Sequence, residues 1–500
     1  MLVHPFLQPD GARVTPNPMD TITSDHIRSL AHASVLVIGD VMLDRYTYGA
    51  VNRISVEAPV PILSIEREVE QPGGAGNVVR NLTALGAAAA LISVVGDDAA
   101  GSELTGLVGG QQGVEPWLLV QGGRTTTLKT RLIASGQQLL RTDREQTDPI
   151  HPKLAERLVR IASDAMAATS VTVLSDYGKG VLAGDVPAAL VANAKKMNRP
   201  VIVDPRGADF ARYAGADIVM PNRPELAEAT GLPVHNEAAI VAAATALRTR
   251  FRFGAVIVTR ANDGMTLVDD DGVQHFPAEA PVVHDTSGAG DTALATLATA
   301  IAMKLPLRVA VRLANLAAGI SVGKIGNAVV READLLHALS PQASVLRKIV
   351  DRTEATELAE RWRRRGWRVG FTNGCFDLLH PGHVHLLQQA RAKCDRLIVG
   401  VNADTSMGRL KEAASPTQPE AARAAMLAGL GCVDLVSVFD EDTPEALIEA
   451  LRPDVLIAGA DYTMDDVLGA ELLHSWGGKV VLVDLLPGHS PAVPLSRTHS

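Results

Sequence analysis

The stretch of residues 285–298 (Asp-Thr-Ser-Gly-Ala-Gly-Asp-Thr-Ala-Leu-Ala-Thr-Leu-Ala) constrains fold and chemistry more than any other segment. A strand-like run at Val282–Val283 leads into the Gly288-Ala289-Gly290 turn, and an apolar helix is predicted from Thr292 to about Met303. The N–H groups of such a turn, backed by the positive end of the helix, form an anion hole. An anion hole beside a carboxylate favours phosphoryl transfer, in which the N–H groups hold the transferred phosphate and Asp291 accepts the proton of the attacking hydroxyl. Helix capping by Asp291 is the alternative, and spacing alone does not separate the two.

Before this stretch, short apolar runs alternate with helical windows. A buried strand is predicted at Ser34–Gly39, and a helix at Val78–Leu85 ends at Gly86, a usual C-terminal glycine. The alternation predicts an α/β fold with a mostly parallel sheet and helices on both faces. Further strands are predicted at Ala90–Val95, Val171–Leu174, Pro200–Val203, Ile218–Met220 and Ala255–Val258, and further helices at 153–168, 185–197 and 236–250.

Residues 46–70 differ in character, because apolar and polar residues partly alternate there. Pro59 and Pro61 suit an edge strand, since proline cannot donate to a central ladder. We expect a small β flap that rises from the main sheet and serves as a lid or as a dimer contact.

Polar side chains follow the predicted strands where each strand ends. The carboxyl ends of parallel strands meet at one edge of a sheet, so a ligand site is expected there, although each residue alone could be a cap or a loop residue. The Gly73-Gly-Ala-Gly-Asn77 turn would let a ligand approach the backbone, with Asn77 free to bind hydroxyls. The polar groups are Asp40, Asp176 with Lys179, Asp204 with Arg206, Asn222 with Glu225, and Thr259 to Gly264.

A second, smaller Rossmann-like pattern follows a helix-rich connector at residues 340–367. Its first strand, Arg368–Thr372, precedes the sequence from Asn373 to His383, which contains His380-Pro-Gly-His383 at the start of a helix. Two histidines three apart share a helix face, and the helix N-terminus favours phosphate. Metal binding and two surface imidazoles are the alternatives; the predicted strand and glycine turn favour nucleotide phosphate. Later strands are predicted at Arg396–Val401, Leu435–Phe439, Val455–Ala458 and Val480–Val483.

Bulk properties narrow the class of protein. The chain has 500 residues, a formal net charge of −9 and no basic stripe, so nucleic acid is not expected as a partner. Three cysteines (Cys375, Cys394 and Cys432) lack metal-type spacing and indicate reduced thiols. With no signal pattern and no membrane-length apolar run, a soluble cytoplasmic protein is expected.

Both halves resemble known families. Residues 73–86 and 285–298 resemble the two signatures of the ribokinase-like (PfkB) carbohydrate kinases, and Asn222-Arg-Pro-Glu225 is similar to their Asn-x-x-Glu element near magnesium and nucleotide. Residues 372–387 resemble the HxGH cytidylyltransferase-like nucleotidyltransferases. The joined order is similar, over about residues 33–490, to a family of bifunctional enzymes from Gram-negative bacteria that make ADP-heptose. Further matching segments are Thr125-Thr-Thr-Leu-Lys-Thr-Arg131, Gln137-Gln-Leu-Leu-Arg141 and Ser175-Asp-Tyr-Gly-Lys-Gly180.

The resemblance implies a ribokinase-like three-layer α/β/α domain with a β lid, followed by a smaller Rossmann-like domain. The expected segments are a flexible extension (1–30), a sugar kinase (31–342), a helical connector (343–366) and an adenylyltransferase (367–500). The kinase would phosphorylate O1 of heptose 7-phosphate, using ATP with Mg²⁺. In the kinase, Asp291 and the turn Gly288, Ala289 and Gly290 are expected to be catalytic. ATP is expected to be bound by Asn222, Arg223, Pro224, Glu225, Thr259 and Gly264, with Glu225 also binding Mg²⁺ indirectly. The sugar is expected to be bound by Asp40, Gly74, Asn77, Lys129, Arg131 and Lys179.

The second half would join heptose 1-phosphate to AMP from ATP and release pyrophosphate, for the lipopolysaccharide core. Its expected ATP-binding residues are Asn373, Phe376, Asp377, His380, Gly382 and His383. It departs from the family pattern, since Ala458 replaces an expected lysine before Asp461-Tyr462, prolines occur in residues 489–494, and the segment after Lys411 lacks Gly-Arg-Pro. Loss of a phosphate cation weakens transition-state binding.

Two alternatives to this bifunctional enzyme remain open. In one, the second half is a non-catalytic nucleotide-binding or dimerisation module, unless Lys411, Arg423 or another cation replaces the missing lysine. In the other, the kinase acts on another sugar, such as ribose or fructose 6-phosphate. Lys129 and Arg131 favour a phosphorylated acceptor but could equally be salt-bridged in a lid. The expected partners are small molecules and a second copy of the chain, as in ribokinase relatives.

Overall fold

The computed structural model describes residues 21–278, 287–324, 328–340, 345–410, 417–460, 463 and 467–484. The chain divides into two compact units, residues 1–336 and 337–500. Of the expected extension, residues 1–20 lie outside the described residues, while Ser24–Ser29 form a helix that is capped by the Thr23 side chain.

The first unit is built on a nine-stranded sheet in the order β13-β12-β11-β10-β9-β8-β1-β4-β5. Neighbouring strands are parallel except at β12 and β13, which form an antiparallel hairpin at one edge. The predicted α/β fold is confirmed. The strands are β1 (Ser34–Gly39), β2 (Val41–Ile54), β3 (Pro61–Gly74), β4 (Ala88–Gly96), β5 (Val114–Gln121), β6 (Leu128–Ala134), β7 (Gln137–Arg144), β8 (Val171–Ser175), β9 (Val201–Asp204), β10 (Ile218–Val219), β11 (Ala255–Thr259), β12 (Met265–Asp269) and β13 (Gly272–Phe276).

The flap is a separate four-stranded sheet in the order β3-β2-β6-β7. It is larger than residues 46–70, because β6 and β7 belong to it, and β3 lies at its edge as the prolines predict. β2 leaves the main sheet directly after β1; its first residues are buried and its last four are exposed. The flap therefore starts beside the carboxyl ends of the main strands, where the ligand site is expected.

Helices cover the main sheet, and two of them, α2 and α8, pack against each other beside the predicted site. Thr292 in α8 donates to Asn81 Oδ1 in α2 at 2.9 Å, and both side chains are buried. The helices of this unit are α1 (Ser24–Ser29), α2 (Ala75–Ala84), α3 (Ala99–Gly109), α4 (Pro152–Ala168), α5 (Val186–Lys196), α6 (Arg223–Thr230), α7 (Glu237–Phe251), α8 (Ala289–Ala302) and α9 (Leu307–Val322). Helix α10 (Glu332–Leu339) begins in this unit and ends in the second.

The second unit has a five-stranded parallel sheet in the order β16-β15-β14-β17-β18, a Rossmann-like arrangement. Within the expected connector, α11 starts at Arg352, capped by Asp351, and its buried Ala355 and Ala359 pack in the core of this unit. The elements are α11 (Arg352–Arg364), β14 (Val369–Gly374), α12 (Pro381–Ala392), β15 (Arg396–Asn402), α13 (Asp404–Leu410), α14 (Glu420–Ala428), β16 (Leu435–Phe439), α15 (Glu445–Leu451), β17 (Val455–Gly459), α16 (Ala470–Ser475) and β18 (Lys479–Val483).

Candidate active sites

Asp291 lies in the first turn of α8, with its carboxylate buried between two donors. Its Oδ2 accepts from Nδ2 of Asn77 at 2.7 Å, and its Oδ1 accepts from the hydroxyl of Tyr177 at 2.5 Å. Burial raises the pKa of Asp291 to about 6, against the lowering effect of the two hydrogen bonds and of Arg80, while Asp44 raises it further. A carboxylate with this pKa is ionised at neutral pH and can accept a proton.

The glycine turn before Asp291 begins the helix. α8 starts at Ala289, three residues before the predicted Thr292, and Gly288 occupies the N-cap position with φ of +76°, a conformation that favours glycine. Asp291 is therefore not the N-cap, and that alternative is wrong. The first-turn N–H groups of a helix have no acceptor within the helix, so those of Ala289 and Gly290 are available to an anion. The predicted strand at Val282–Val283 lies outside the described residues.

Asp40, at the end of β1, holds the loop that carries Tyr177. Its Oδ2 accepts from the backbone N–H groups of Tyr177 and Lys179, both at 2.9 Å, and its Oδ1 accepts from that of Val181 at 3.0 Å. The Asp40 side chain is buried. Its observed contacts are structural, and sugar binding by Asp40 stays a prediction. Gly74 lies next to it as the N-cap residue of α2.

The cations that are predicted to bind the sugar lie at the base of the flap. Arg131 on β6 donates to Oδ1 of the buried Asp44 on β2 at 2.6 Å, and Lys179 forms a 2.8 Å ion pair with Glu145. Lys129 is paired in register with Asp44, and its pKa is lowered by burial and by the positive charges of Lys179 and Arg141, against Asp143 and Asp44. The structure thus brings together Lys129, Arg131 and Lys179, the three cations that are predicted to bind the sugar. Arg131 and Lys179 already have acidic partners.

The predicted nucleotide residues form a second group at the same sheet edge. Asn222 caps α6: its Oδ1 accepts from the Glu225 N–H, while Glu225 Oε2 accepts from the Asn222 N–H, both at 2.9 Å. A parallel bridge places Thr259 beside Asn222. Arg223, which precedes Pro224, pairs with Asp263 at 2.5 Å, next to Gly264. The Asn-x-x-Glu element is therefore a capping box in this structure, and nucleotide binding stays a prediction.

Carboxylates near Asp291 provide oxygen ligands that suit Mg²⁺. Asp204 ends β9; burial, and then the negative charges of Asp291 and Glu225, raise the pKa of Asp204 well above its usual value. Glu225 also has a raised pKa because it is buried. Within the described ranges, no three acidic, histidine or cysteine side chains are close enough to hold a metal by themselves.

Two residues of this site were not predicted from the sequence. Asp44 interrupts the otherwise apolar start of β2, and a buried carboxylate in such a run was the available signal. Tyr177 lies within the matched segment Ser175–Gly180, but nothing in its sequence context indicates that it contacts Asp291, 114 residues away.

In the second unit, His380 and His383 stack at the start of α12. Their ring centroids are 3.9 Å apart, and Phe376 packs on His383 at 5.3 Å. His380 is the N-cap residue, and its Nδ1 accepts from the N–H of Gly382 at 3.2 Å. Burial and the neighbouring His380 lower the pKa of His383 to about 4. His383 is therefore a neutral ring at physiological pH, and its buried Nδ1 has no hydrogen-bond partner within the described part of the chain.

Arg423 is not available to replace a phosphate-binding lysine. Its side chain is fully buried, and it donates to Asp404 Oδ1 at 2.6 Å, to the Cys375 carbonyl at 2.6 Å and to the Gln418 carbonyl at 3.0 Å. The N–H of Gln418 in turn donates to Asp377 at 3.1 Å, while Asn373 lies within the end of β14. Lys411, Asp461, Tyr462 and residues 489–494 lie outside the described residues.

Family comparisons agree with this architecture. A model described as pfkB family carbohydrate kinase matches residues 32–333, and one described as cytidylyltransferase-like matches residues 371–484. Fold and site therefore define a carbohydrate kinase followed by a nucleotidyltransferase.

No helix in the described part of the chain is both long enough and apolar enough to cross a membrane.

Curated relatives cover both halves. The Bifunctional protein HldE of Acidiphilium cryptum is 63% identical over 474 residues, covering 95% of this chain and 98% of the relative. That of Caulobacter vibrioides is 49% identical over 486 residues, covering 96% and 100%. The chain belongs to this HldE family of bifunctional, pfkB-containing enzymes. The prediction of a heptose phosphate kinase joined to an adenylyltransferase is confirmed, and a non-catalytic second half is not favoured.

Solved structures match the fold of the first unit. Phosphofructokinase-2 from Escherichia coli in complex with fructose-6-phosphate is 20% identical with a TM-score of 0.51, covering 61% of this chain and 97% of that chain. A putative ribokinase from Agrobacterium tumefaciens is also 20% identical, with a TM-score of 0.50 and the same coverage. At these identities the likeness concerns the fold alone.

Proposed function

We propose that the first unit transfers the γ-phosphate of ATP to O1 of D-glycero-β-D-manno-heptose 7-phosphate, with Asp291 as the base. The observation that carries this proposal is the buried, ionisable carboxylate of Asp291 next to the glycine turn that begins α8. Asp291 accepts the O1 proton as O1 attacks the γ-phosphorus, and ADP departs with the electrons of the broken P–O bond. The first-turn N–H groups after Gly288 neutralise the charge on the transferred phosphate.

On the acceptor side, Lys129, Lys179 and Arg131 bind the 7-phosphate, and Asp44 and Asn77 orient the sugar. The pKa of Lys129 is lowered by burial and by nearby cations, so an incoming phosphate dianion gains a favourable charge interaction there. The pairs Lys179–Glu145 and Arg131–Asp44 hold two of these cations in place before the phosphate arrives.

On the nucleotide side, Asn222, Arg223, Thr259 and Gly264 line the ATP site, and Asp204 and Glu225 would hold the Mg²⁺ that accompanies ATP. The metal supplies neutralisation of the ATP phosphates. Both carboxyl groups have raised pKa values because of burial, so a cation beside them also relieves an unfavourable concentration of negative charge.

The second unit transfers AMP from ATP to the 1-phosphate of the heptose and releases pyrophosphate. The sugar phosphate is already a nucleophile, so in-line positioning and charge neutralisation suffice. His380 and His383 bind the ATP phosphates beside the α12 N-terminus, where backbone N–H groups also point toward the anion. With His383 neutral, its contribution is a hydrogen bond rather than a full charge.

We also propose a homodimer that forms through the flap and acts in the cytoplasm, where its phosphorylated substrates occur. Apolar side chains of the flap are left open to solvent: Ile54 is 69% exposed, Ile65 61% and Leu140 55%. Exposed apolar side chains on three strands of one sheet are the feature that supports a protein contact here. Ile65→Lys should lower the dimer fraction in sedimentation, and an unchanged sedimentation coefficient would contradict the flap contact.

The full-length chain offers a reciprocal test of both activities. Product analysis by phosphorus NMR should show a 1,7-bisphosphate from heptose 7-phosphate and ADP-heptose with pyrophosphate from heptose 1-phosphate. Asp291→Asn should abolish only the first reaction while ATP still binds, and His383→Ala should weaken only the second. Ribose and fructose 6-phosphate serve as competing acceptors, and a higher kcat/KM for either would overturn the heptose assignment.

A further inference from the structure

The hydroxyl of Tyr177 contacts the proposed base but has no part in the reaction described so far. It donates to Oδ1 of Asp291 at 2.5 Å, opposite the Asn77 amide, which donates to Oδ2 at 2.7 Å. The two donors come from different walls of the site, the β8–α5 loop and helix α2. Together they hold both carboxylate oxygens, so the plane of the carboxylate is defined before any substrate binds.

The loop that carries Tyr177 is rigid for reasons visible in its hydrogen bonds. Asp40 accepts three of its backbone N–H groups, including that of Tyr177 itself, and Asp176 accepts the N–H of Gly178 at 2.7 Å. Gly180 has φ of +91°, and a Cβ there would collide with the carbonyl oxygen of Asp148. The backbone from which the Tyr177 side chain projects is thus fixed by contacts that do not involve substrate.

We propose that Tyr177 is a positioning residue that holds Asp291 in its ionised form and turned toward the acceptor hydroxyl. The proposal rests on Asp291 being the base. A hydrogen bond to the ionised form of an acid stabilises that form. Among the described residues, the other groups facing Asp291 are Asn77 and Arg80 on α2, which also favour ionisation, and Asp44 on β2 and Asp204 on β9, whose negative charges oppose it.

Tyr177 stays a donor at every relevant pH. Burial, and then the negative charges of Asp291 and Asp204, raise the pKa of Tyr177 well above its ordinary value. The phenol therefore does not compete for the proton that Asp291 takes from the sugar. Its removal leaves Asp291 in the same buried, acidic surroundings with one donor fewer, so the carboxylate binds a proton more tightly.

The test is the pH dependence of kcat/KM for the kinase reaction of the full-length chain. Tyr177→Phe should move the acidic limb upward by about one pH unit, so activity falls roughly fivefold at pH 6, approaches a tenfold loss below about pH 5 and recovers at alkaline pH. Ionisation of the sugar phosphate contributes equally to both profiles and cancels in the comparison. Tyr213→Phe is the matched control, because Tyr213 donates to another buried carboxylate, Asp176, at 2.6 Å, and should leave the limb in place.

A uniform loss of activity with an unmoved limb would overturn the proposal, since it would indicate packing alone. If Tyr177→Phe does not fold, site-specific replacement of Tyr177 by 3-fluorotyrosine keeps the ring and strengthens the donor. The acidic limb should then move downward, and an unmoved limb would again overturn the proposal. Failure of the base assignment is a separate result, because it would appear as residual turnover in Asp291→Asn.

Discussion

The side chains of Asn77 and Asp291 lie 2.7 Å apart although 214 residues separate them in sequence. This contact joins the two glycine-rich turns of the kinase half, since each residue lies in the first turn of the helix that its turn begins. Arg80 donates to Oδ1 of Asn77 at 3.1 Å, so the Asn77 amide group must turn its N–H toward Asp291. The helix that the first glycine turn begins therefore supplies a hydrogen-bond donor to Asp291, the proposed base.

Asn77→Ala is expected to lower kinase kcat by about 10- to 100-fold with little change in the KM for ATP. Loss of a hydrogen-bond donor to a buried carboxylate costs on the order of 1–3 kcal/mol. Steady-state kinetics at pH 5.5, where a proton competes for Asp291, measure the effect. Asn81→Ala is the matched control, because it removes the contact to Thr292 between the same two helices without touching Asp291. Equal losses in both variants would show that helix packing, and not the base, is affected.

Asp291→Asn is expected to stabilise the kinase half at neutral pH while removing its activity. Because burial raises the pKa of Asp291 from 3.8 to about 6, ionisation costs stability as pH rises through that range, up to about 3 kcal/mol above pH 6. Hydrogen exchange of peptides from α8, measured at pH 4 and pH 8, reports the difference. The variant should be better protected than the parent at pH 8 and equal to it at pH 4; equal protection at both would contradict the role of burial.

Lys129→Met is expected to raise the KM for the phosphorylated acceptor by roughly 10- to 100-fold, since a charged hydrogen bond to phosphate is lost. The KM for ATP should stay the same. Arg53→Met, at the exposed end of β2, removes the same charge from the flap and serves as the control. If both variants raise the acceptor KM equally, the flap acts through its overall charge and Lys129 has no particular contact.

The sequence predicts the layers of the fold well because its strands are short apolar runs bounded by turn residues. β1 matches its predicted bounds, and the strands at Ala90, Val171 and Ala255 differ by one or two residues at their ends. The glycine-rich turn at the start of α8 also identifies Asp291 as a candidate site residue. The flap strands β6 and β7 escape prediction because their residues are half-buried or exposed and carry few apolar runs.

Contacts between distant segments could not be predicted. The sequence places Asp40 at the end of a buried strand, but it does not reveal that the Asp40 oxygens hold the Tyr177 loop. Tyr177 itself carries no periodicity or spacing signal, since its contact depends on how the β8–α5 loop folds. Local patterns place residues at the correct sheet edge, whereas the direction of each side chain depends on partners more than a hundred residues away.

Arg423→Met is expected to weaken adenylyl transfer and leave kinase turnover unchanged in the same chain. Arg423 ties Asp404 to the Cys375 carbonyl, which precedes the predicted ATP-binding residues Phe376 and Asp377. Breaking a buried ion pair costs about 3–5 kcal/mol, and about 2–3 kcal/mol is expected here because the Asp404 side chain is 37% exposed and partly solvated.

The measurement combines pyrophosphate release with urea unfolding followed by hydrogen exchange of β14 and α12 peptides. Arg396→Met is the matched control: Arg396 pairs with Asp434 at 3.2 Å with its side chain 30% exposed, and the loss should be below about 1 kcal/mol. Because the buried guanidinium holds the loop before α12, loss of stability and loss of ATP affinity should occur together. Full adenylyl transfer by a destabilised Arg423→Met chain would show that this loop does not position the nucleotide.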